Sequence, residues 1–183
     1  MKFLKSLTHK DLSKEICVLR IDLNVEDTSN VRLKAVVPTL ELLKKGKAKV
    51  VILSHEGRPI LNQKLKIKNR KYKKFSLQRF TKILAKEIKQ PIHFLDFAFP
   101  VSGKTFAEFR AKIDAAPAGS IFLLENVRFL PGEMENDAKL GENLASLGTF
   151  FVNDAFSVSH RAEASIAAIT KCLPSYAGLC LER

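Results

Sequence analysis

The sequence predicts an α/β fold, a three-layer α/β/α domain with a mostly parallel β-sheet. Five short apolar runs without polar alternation are typical of strands that are buried on both faces of a parallel sheet. Helical patterns lie between the runs, and this alternation of strand and helix favours right-handed β–α–β crossovers. The 183 residues, 46% of them hydrophobic, suit one domain over residues 1–183 with a core of its own.

The five predicted strands are residues 16–19, 50–53, 92–95, 121–124 and 150–152. Pro38 is expected to open the first helix and Gly46 to end it. Ser76 is the predicted N-cap of a second helix, which places Leu77, Phe80, Leu84 and Ile88 on one side. Apolar residues at helical spacing predict three more helices, over residues 104–116, 137–147 and 164–173.

Charge and cysteine content narrow the class of protein. Thirty-one Lys and Arg against 19 Asp and Glu give a net charge of +12, which favours an anionic partner. No apolar run approaches the roughly 18 residues of a membrane span, so we expect no membrane association. Three cysteines without metal-ligand spacing predict neither a disulfide framework nor a metal site, and a reducing cytoplasm is the expected location.

Polar clusters follow four of the five apolar runs. Open parallel sheets bind ligands at the carboxyl ends of their strands, so these clusters are expected to meet at one edge. Arginine makes forked contacts with carboxylate and phosphate, and the edge is therefore predicted to bind a small ligand that carries both groups. The clusters contain Arg20, Asp22, Asn24, Ser54, His55, Glu56, Arg58, Glu125, Asn126, Arg128, Asn153, Asp154, Ser159, His160 and Arg161.

Ordinary structural roles remain open for the same residues. A single arginine after a strand is more often a surface or packing residue. Asp22 and Asp154 suit loop capping, the two histidines suit hydrogen-bonded loop positions, and Glu125 with Asn126 suits the fixing of a loop. The sequence contains no G-x-x-x-x-G-K and no G-x-G-x-x-G, and hence no predicted phosphate loop for a nucleotide.

Six blocks in order along the chain resemble phosphoglycerate kinases, in particular the N-terminal half of those enzymes. The blocks are RIDLNV, SNVRLKAVVPTL, SHEGRP, LLENVRF, FVNDAFSVSHRAEAS and LPSYAGLCLE. The resemblance implies a Rossmann-like domain that binds 3-phosphoglycerate or 1,3-bisphosphoglycerate. It also implies that Mg-ADP or Mg-ATP is bound by a C-terminal domain absent from this chain, which itself binds no cofactor. The resemblance further implies a monomer.

By motif, the resemblance implies reversible phosphoryl transfer between 1,3-bisphosphoglycerate and ADP, the glycolytic reaction of the family. Arg32 is expected at the transferring phosphoryl group and is the one predicted catalytic residue. The chain alone is expected to be inactive, and a non-catalytic anion-binding or nucleic-acid-binding domain is the alternative. The predicted substrate-binding residues are Asp22, Asn24, Arg32, His55, Arg58, Arg128, His160 and Arg161.

Four departures from the family pattern accompany the resemblance. Glu56 stands where leucine is usual, Glu26 where proline is common, and Glu163 where histidine is frequent. The connection from Asn24 to Arg32 is several residues shorter than usual.

The basic run 64–74, with six Lys and one Arg, is predicted to be a solvated loop. It is the main argument for the alternative of nucleic-acid binding.

Overall fold

The computed structural model describes residues 2–7, 12–24, 31–57, 59, 73–97 and 101–182, and only the backbone of Val31 and Arg32. In this part of the chain seven strands form one sheet in the order β1-β7-β6-β2-β3-β5-β4, and every pair is parallel. The strands are β1 (Lys2–Phe3), β2 (Ile16–Arg20), β3 (Lys49–Leu53), β4 (Ile92–Leu95), β5 (Ile121–Leu124), β6 (Phe150–Asn153) and β7 (Ser175–Ala177).

The described residues also contain α1 (Val31–Lys45), α2 (Gln78–Ile88), α3 (Gly103–Ala115) and α4 (Ala138–Ala145). They also contain four 3-10 segments, Leu4–Leu7, Val127–Phe129, Phe156–Val158 and Ile169–Lys171. One π-helical turn covers Ala164–Ala168. None of the helices in these ranges combines the length and apolar composition of a membrane span.

The sheet is covered on both faces, which confirms the predicted three layers. Successive residues of a strand point to opposite faces, and two separate core clusters take them alternately. Leu19 and Ile52 pack with side chains of α1 and α2, whereas Val18 and Val51 pack with side chains of α3 and α4. Because both faces are buried, the central strands need apolar residues at every position, and this produces the continuous runs in the sequence.

The predicted strands are all present, but three helix predictions are wrong in part. Helix α1 begins at Val31 and contains Pro38, which was expected to start it. Leu33, Val36, Leu40 and Leu43 are buried at helical spacing, so this apolar face extends through the proline although its missing N–H removes one hydrogen bond.

The second and last helices differ at their starts and in their type. The N-cap of α2 is Leu77, and Ser76 instead donates to Glu125 Oε2 over 2.6 Å. The predicted helix over 164–173 is a π-helical turn followed by a 3-10 turn. Strands β1 and β7 were not predicted, because two and three residues are too few to produce a recognisable apolar run.

Gly141 provides a test of the packing between α4 and the π-helical turn. A Cβ at this position would lie 2.5 Å from Ala168 Cβ and 3.0 Å from the Ala168 carbonyl carbon. We predict that Gly141→Ala lowers the free energy of unfolding by about 2 kcal/mol, although alanine favours helices by about 1 kcal/mol. Urea denaturation measures the change.

Gly103→Ala is the matched control for that substitution. Gly103 also lies in a helix, but its Cβ would meet only Asn143 Oδ1, at 3.8 Å. Helix propensity should therefore dominate, and stability should be unchanged or slightly raised. Equal effects of the two substitutions would contradict the close approach of α4 to the turn.

Candidate functional site

The four predicted polar clusters follow strands that are neighbours in the sheet. Strands β6, β2, β3 and β5 lie side by side, and Arg20 is in register with Leu53 on one side and Asn153 on the other. All four strands are parallel, so their carboxyl ends meet at one edge. The structure thus brings the clusters together as the sequence predicted.

Arg20 stands at the centre of this edge with its side chain fully buried. Its Nε donates to Ser165 Oγ over 3.0 Å, and its Nη1 donates to the Ile21 carbonyl. Ser165 in turn donates from its hydroxyl to Glu133 Oε1 and from its backbone N–H to Glu133 Oε2. Burial lowers the pKa of Arg20, and the carboxylates of Glu133 and Glu163 oppose that effect.

Glu163 joins Arg20 to two further arginines, and we call Arg20, Arg128 and Arg161 the arginine cluster. Glu163 Oε1 accepts from Arg128 Nη2 at 2.9 Å and from Arg161 Nη1 at 3.3 Å, and Oε2 lies 3.8 Å from Arg20 Nη2. The side chains of Glu163 and Arg128 are 3% and 4% exposed, and that of Arg161 is 30% exposed. Arg161 is therefore the member of the cluster that solvent reaches.

His55 is buried against the same arginines and is neutral. Its Nδ1 lies 3.0 Å from Arg20 Nη2, and since a guanidinium only donates, Nδ1 accepts and the ring proton is on Nε2. Burial, with the charges of Arg20, Arg128 and Arg161, lowers the pKa of His55 to about 2. His55 can therefore offer a neutral N–H donor to an anionic ligand at any ordinary pH.

A second group of predicted residues lies around the loop that follows β2. Asp22 Oδ1 accepts from the Asn24 N–H at 2.9 Å, and its Oδ2 accepts from Ser157. Asn24 Oδ1 accepts from the Gly57 N–H at 2.8 Å, and Arg128 Nη1 donates to the Gly57 carbonyl at 2.7 Å. Gly57 therefore links the second group to the arginine cluster, and its φ of 63° favours glycine at this position.

Glu125 and Asn126 have the structural role that the sequence left open. Glu125 Oε1 accepts from the N–H groups of Leu77 and Asn126, at 2.8 and 2.7 Å. Asn126 Nδ2 donates to the carbonyls of Glu56 and Phe75, each at 2.9 Å. Burial raises the pKa of Glu125, while these hydrogen bonds oppose the rise. The pair ties the loop after β5 to the loop after β3 and to the start of α2.

A cavity of about 240 Å³ opens beside Asp22. It is lined by Asp22, Ala35, Val36, Asp154, Phe156, Ser157 and Cys180. Its described lining includes no member of the arginine cluster, because Arg20 and Arg128 are covered by protein and Arg161 is turned toward Glu163. Phe156, 70% exposed, forms part of its rim.

For the other three predicted site residues, His160, Arg32 and Arg58, the structure describes no contact with the arginine cluster. His160 is exposed and makes no hydrogen bond or ion pair with the described residues. Arg32 lies in the first turn of α1, but its side chain is outside the described part, as is Arg58. Sequence reasoning did not select Glu133, whose position lies in no quoted motif, or Ser165, which ends the block FVNDAFSVSHRAEAS without a predicted role. It listed Arg20 in a polar cluster but did not predict it as a site residue. The signal for Arg20 was a charged residue that directly ends a fully buried strand.

Comparison with known proteins decides the family. The model of the family "Phosphoglycerate kinase" matches residues 7–183. The chain belongs to the phosphoglycerate kinase family. A phosphoglycerate kinase of Coprothermobacter proteolyticus is 40% identical over 98% of this chain, and one of Bartonella quintana is 40% identical over 97%. The chain spans 44% and 43% of the lengths of these two relatives.

Solved phosphoglycerate kinase structures have the same fold. The enzyme of Pyrococcus horikoshii OT3 superposes with a TM-score of 0.75 at 26% identity, over all of this chain and 43% of its own. The enzyme of Coxiella burnetii superposes with a TM-score of 0.76 at 31% identity, over 96% of this chain and 42% of its own. The predicted resemblance and the predicted Rossmann-like α/β fold are both confirmed.

The low pKa of His55 predicts a loss of stability in mild acid. Between its ordinary value of 6.5 and about 2, this residue binds a proton in the unfolded chain but not in the folded one. Its contribution to stability is therefore complete above pH 6.5 and decreases as the pH falls. From about pH 7.5 to about pH 5, urea denaturation should show that the wild-type chain loses roughly 2 kcal/mol more than His55→Asn.

Asparagine retains an acceptor for Arg20 but cannot titrate, so the other titrating groups contribute equally to both proteins. Parallel curves of stability against pH for the two chains would show that folding does not change the pKa of His55, and would contradict its burial as a neutral ring.

Proposed function

We propose that residues 1–183 are the 3-phosphoglycerate-binding domain of a phosphoglycerate kinase. The observation that carries the proposal is the convergence of Arg128, Arg161 and the neutral His55 at the carboxyl edge of the sheet. Two guanidinium groups and an uncharged N–H donor suit a ligand with a phosphate and a carboxylate. Membership of the family supplies the identity of that ligand, because the geometry alone indicates only a small polyanion.

The reaction we propose is reversible phosphoryl transfer between 1,3-bisphosphoglycerate and ADP. In the direction from 3-phosphoglycerate the nucleophile is a carboxylate, already ionised at neutral pH because its pKa is roughly 3.5. Catalysis then needs positioning and charge stabilisation and no general base. Arg128, Arg161 and His55 hold the ligand, and Arg32, from the first turn of α1, meets the charge on the transferring phosphoryl group.

We propose that the nucleotide binds in the part of the family's enzymes that residues 1–183 do not cover. The chain spans 44% of the Coprothermobacter relative and has no phosphate-loop motif, and this supports a site for Mg-ADP or Mg-ATP in the remaining part. When bound, the magnesium nucleotide supplies the phosphoryl group or accepts it. A cytoplasmic location and a monomeric state complete the proposal.

The alternative of nucleic-acid binding rests on the charge of +12 and the run 64–74. Residues 64–72 of that run lie outside the described part of the chain. The family match supports the kinase hypothesis over this alternative. A gel shift with steep salt dependence would favour the alternative, since phosphate contacts along a nucleic acid release counterions.

Arg161→Ala tests the ligand site. We predict that titration calorimetry shows at least a tenfold rise in the Kd for 3-phosphoglycerate, because a charge-assisted bond is worth roughly 1.5 to 3 kcal/mol. The same is predicted for Arg58→Ala. Arg110→Ala is the control: it removes an equal charge from α3, where Arg110 pairs with Asp114. Wild-type affinity in Arg161→Ala and Arg58→Ala would remove the site assignment.

The activity of the chain by itself provides a second test. We predict no measurable turnover of 3-phosphoglycerate with ATP by the purified 183-residue chain in a coupled assay. The reason is that it lacks the proposed nucleotide site and cannot exclude water by closing a second domain over the substrate. Turnover at a rate typical of the family would contradict the assignment of the nucleotide to another part.

A further inference from the structure

Glu163 occupies the position that an anionic ligand would take between Arg128 and Arg161. One of its oxygens accepts from both guanidinium groups, at 2.9 and 3.3 Å. Two guanidinium groups that converge on one carboxylate oxygen form the arrangement by which proteins bind carboxylates and phosphates. The part of the site with the strongest charge is therefore already paired with a carboxylate of the chain itself.

Backbone hydrogen bonds fix the main chain at Glu163. The Glu163 carbonyl accepts from the N–H groups of Ile166 and Ala167, at 2.9 and 2.7 Å, and the next residue, Ala164, donates to the Glu133 carbonyl at 2.9 Å. These hydrogen bonds hold the main chain of Glu163 beside the arginine cluster. A ligand that approaches Arg161 must break contacts of the Glu163 side chain or bind beside its negative charge.

The hydrogen bonding of the cluster is incomplete. Arg128 Nε and Glu163 Oε2 are buried, and neither has a hydrogen-bond partner among the described residues. Two such groups are expected to destabilise the arrangement, because buried charged groups need satisfied hydrogen bonds. The pairing of Glu163 with Arg128 is thus one that a better-fitting anion can replace.

The charges at the site lead to the same conclusion. The arginine cluster contributes three positive charges, His55 is neutral, and Glu163 and Glu133 carry two carboxylates. Both carboxylate oxygens of Glu133 accept hydrogen bonds from Ser165, whereas Glu163 contacts Arg128 and Arg161 directly. Glu163 is therefore the carboxylate that directly reduces the attraction of Arg128 and Arg161 for an incoming anion.

We propose that Glu163 is an affinity-determining residue: an internal carboxylate that competes with the anionic substrate for Arg128 and Arg161. This inference rests on the proposed function, because the competitor is taken to be 3-phosphoglycerate. Glu163 keeps the arginines paired when no ligand is bound, and it weakens the binding of the ligand that replaces it.

The test is calorimetric titration of 3-phosphoglycerate into the 183-residue chain and its Glu163→Gln variant. Glutamine keeps the size and an acceptor oxygen but removes the charge. The expected result is binding about tenfold tighter, the order of one charge-assisted hydrogen bond that the ligand no longer has to replace. A merely structural role of Glu163 would not increase affinity.

Glu142→Gln is the matched control, since Glu142 is an exposed glutamate of α4 that pairs with Lys139. It changes the net charge equally and should leave the Kd unchanged. A similar gain in Glu142→Gln would assign the effect to net charge and overturn the proposal. Wild-type affinity in Glu163→Gln, with measurable binding in both chains, would overturn it while leaving the proposed function intact.

Two further outcomes are decisive. If neither wild-type nor Glu163→Gln binds 3-phosphoglycerate, the proposed function fails and this inference fails with it. If Glu163→Gln does not fold, the titration is repeated with Glu163→Ala, in which tighter binding than wild type supports the proposal and wild-type affinity overturns it. Failure of both variants to fold with the ligand present would identify Glu163 as a structural counter-ion and overturn the proposal.

Discussion

The pairing of the buried Arg20 guanidinium is the interaction on which the carboxyl edge of the sheet depends. Arg20 ends a central strand and has no exposed surface, and leaving such a charge unpaired costs several kcal/mol. Its partners come from three other regions of the chain: His55 after β3, Glu133 after β5, and Glu163 with Ser165 after β6. These loops can satisfy Arg20 only when they are folded against one another. The charge thus orders the loops around it.

The same pairing also orients the other two arginines of the cluster. Arg128 and Arg161 are oriented by Glu163, and Arg128 is also fixed by the Gly57 carbonyl, so the positions of the guanidinium groups are set before any ligand binds. An internal counter-ion has an opposite effect on binding, because it lowers the free energy of the empty site. Under the proposed function, the domain has to balance these two effects, because it must be stable without substrate and still bind an anion.

Family membership and geometry answer different questions about this chain. The family match over residues 7–183 identifies what kind of protein it is. The geometry describes the contacts of the edge: its buried histidine is neutral, and the buried glutamates whose contacts are described bind serines, backbone N–H groups or arginines. This arrangement is compatible with the proposed reaction, whose nucleophile is already ionised and for which the protein supplies position and charge.

The sequence by itself determined five of the seven described strands, their parallel arrangement and the edge at which the polar clusters meet. Burial on both faces requires continuous apolar runs, and parallel strands necessarily share their carboxyl edge, so local patterns were sufficient. Only the tertiary structure decided that α1 extends back past Pro38, that Arg20 is buried and that Glu133 and Glu163 face it. The partner of a buried charge is chosen by distance in space, because Coulomb attraction depends on separation and dielectric and not on position in the chain.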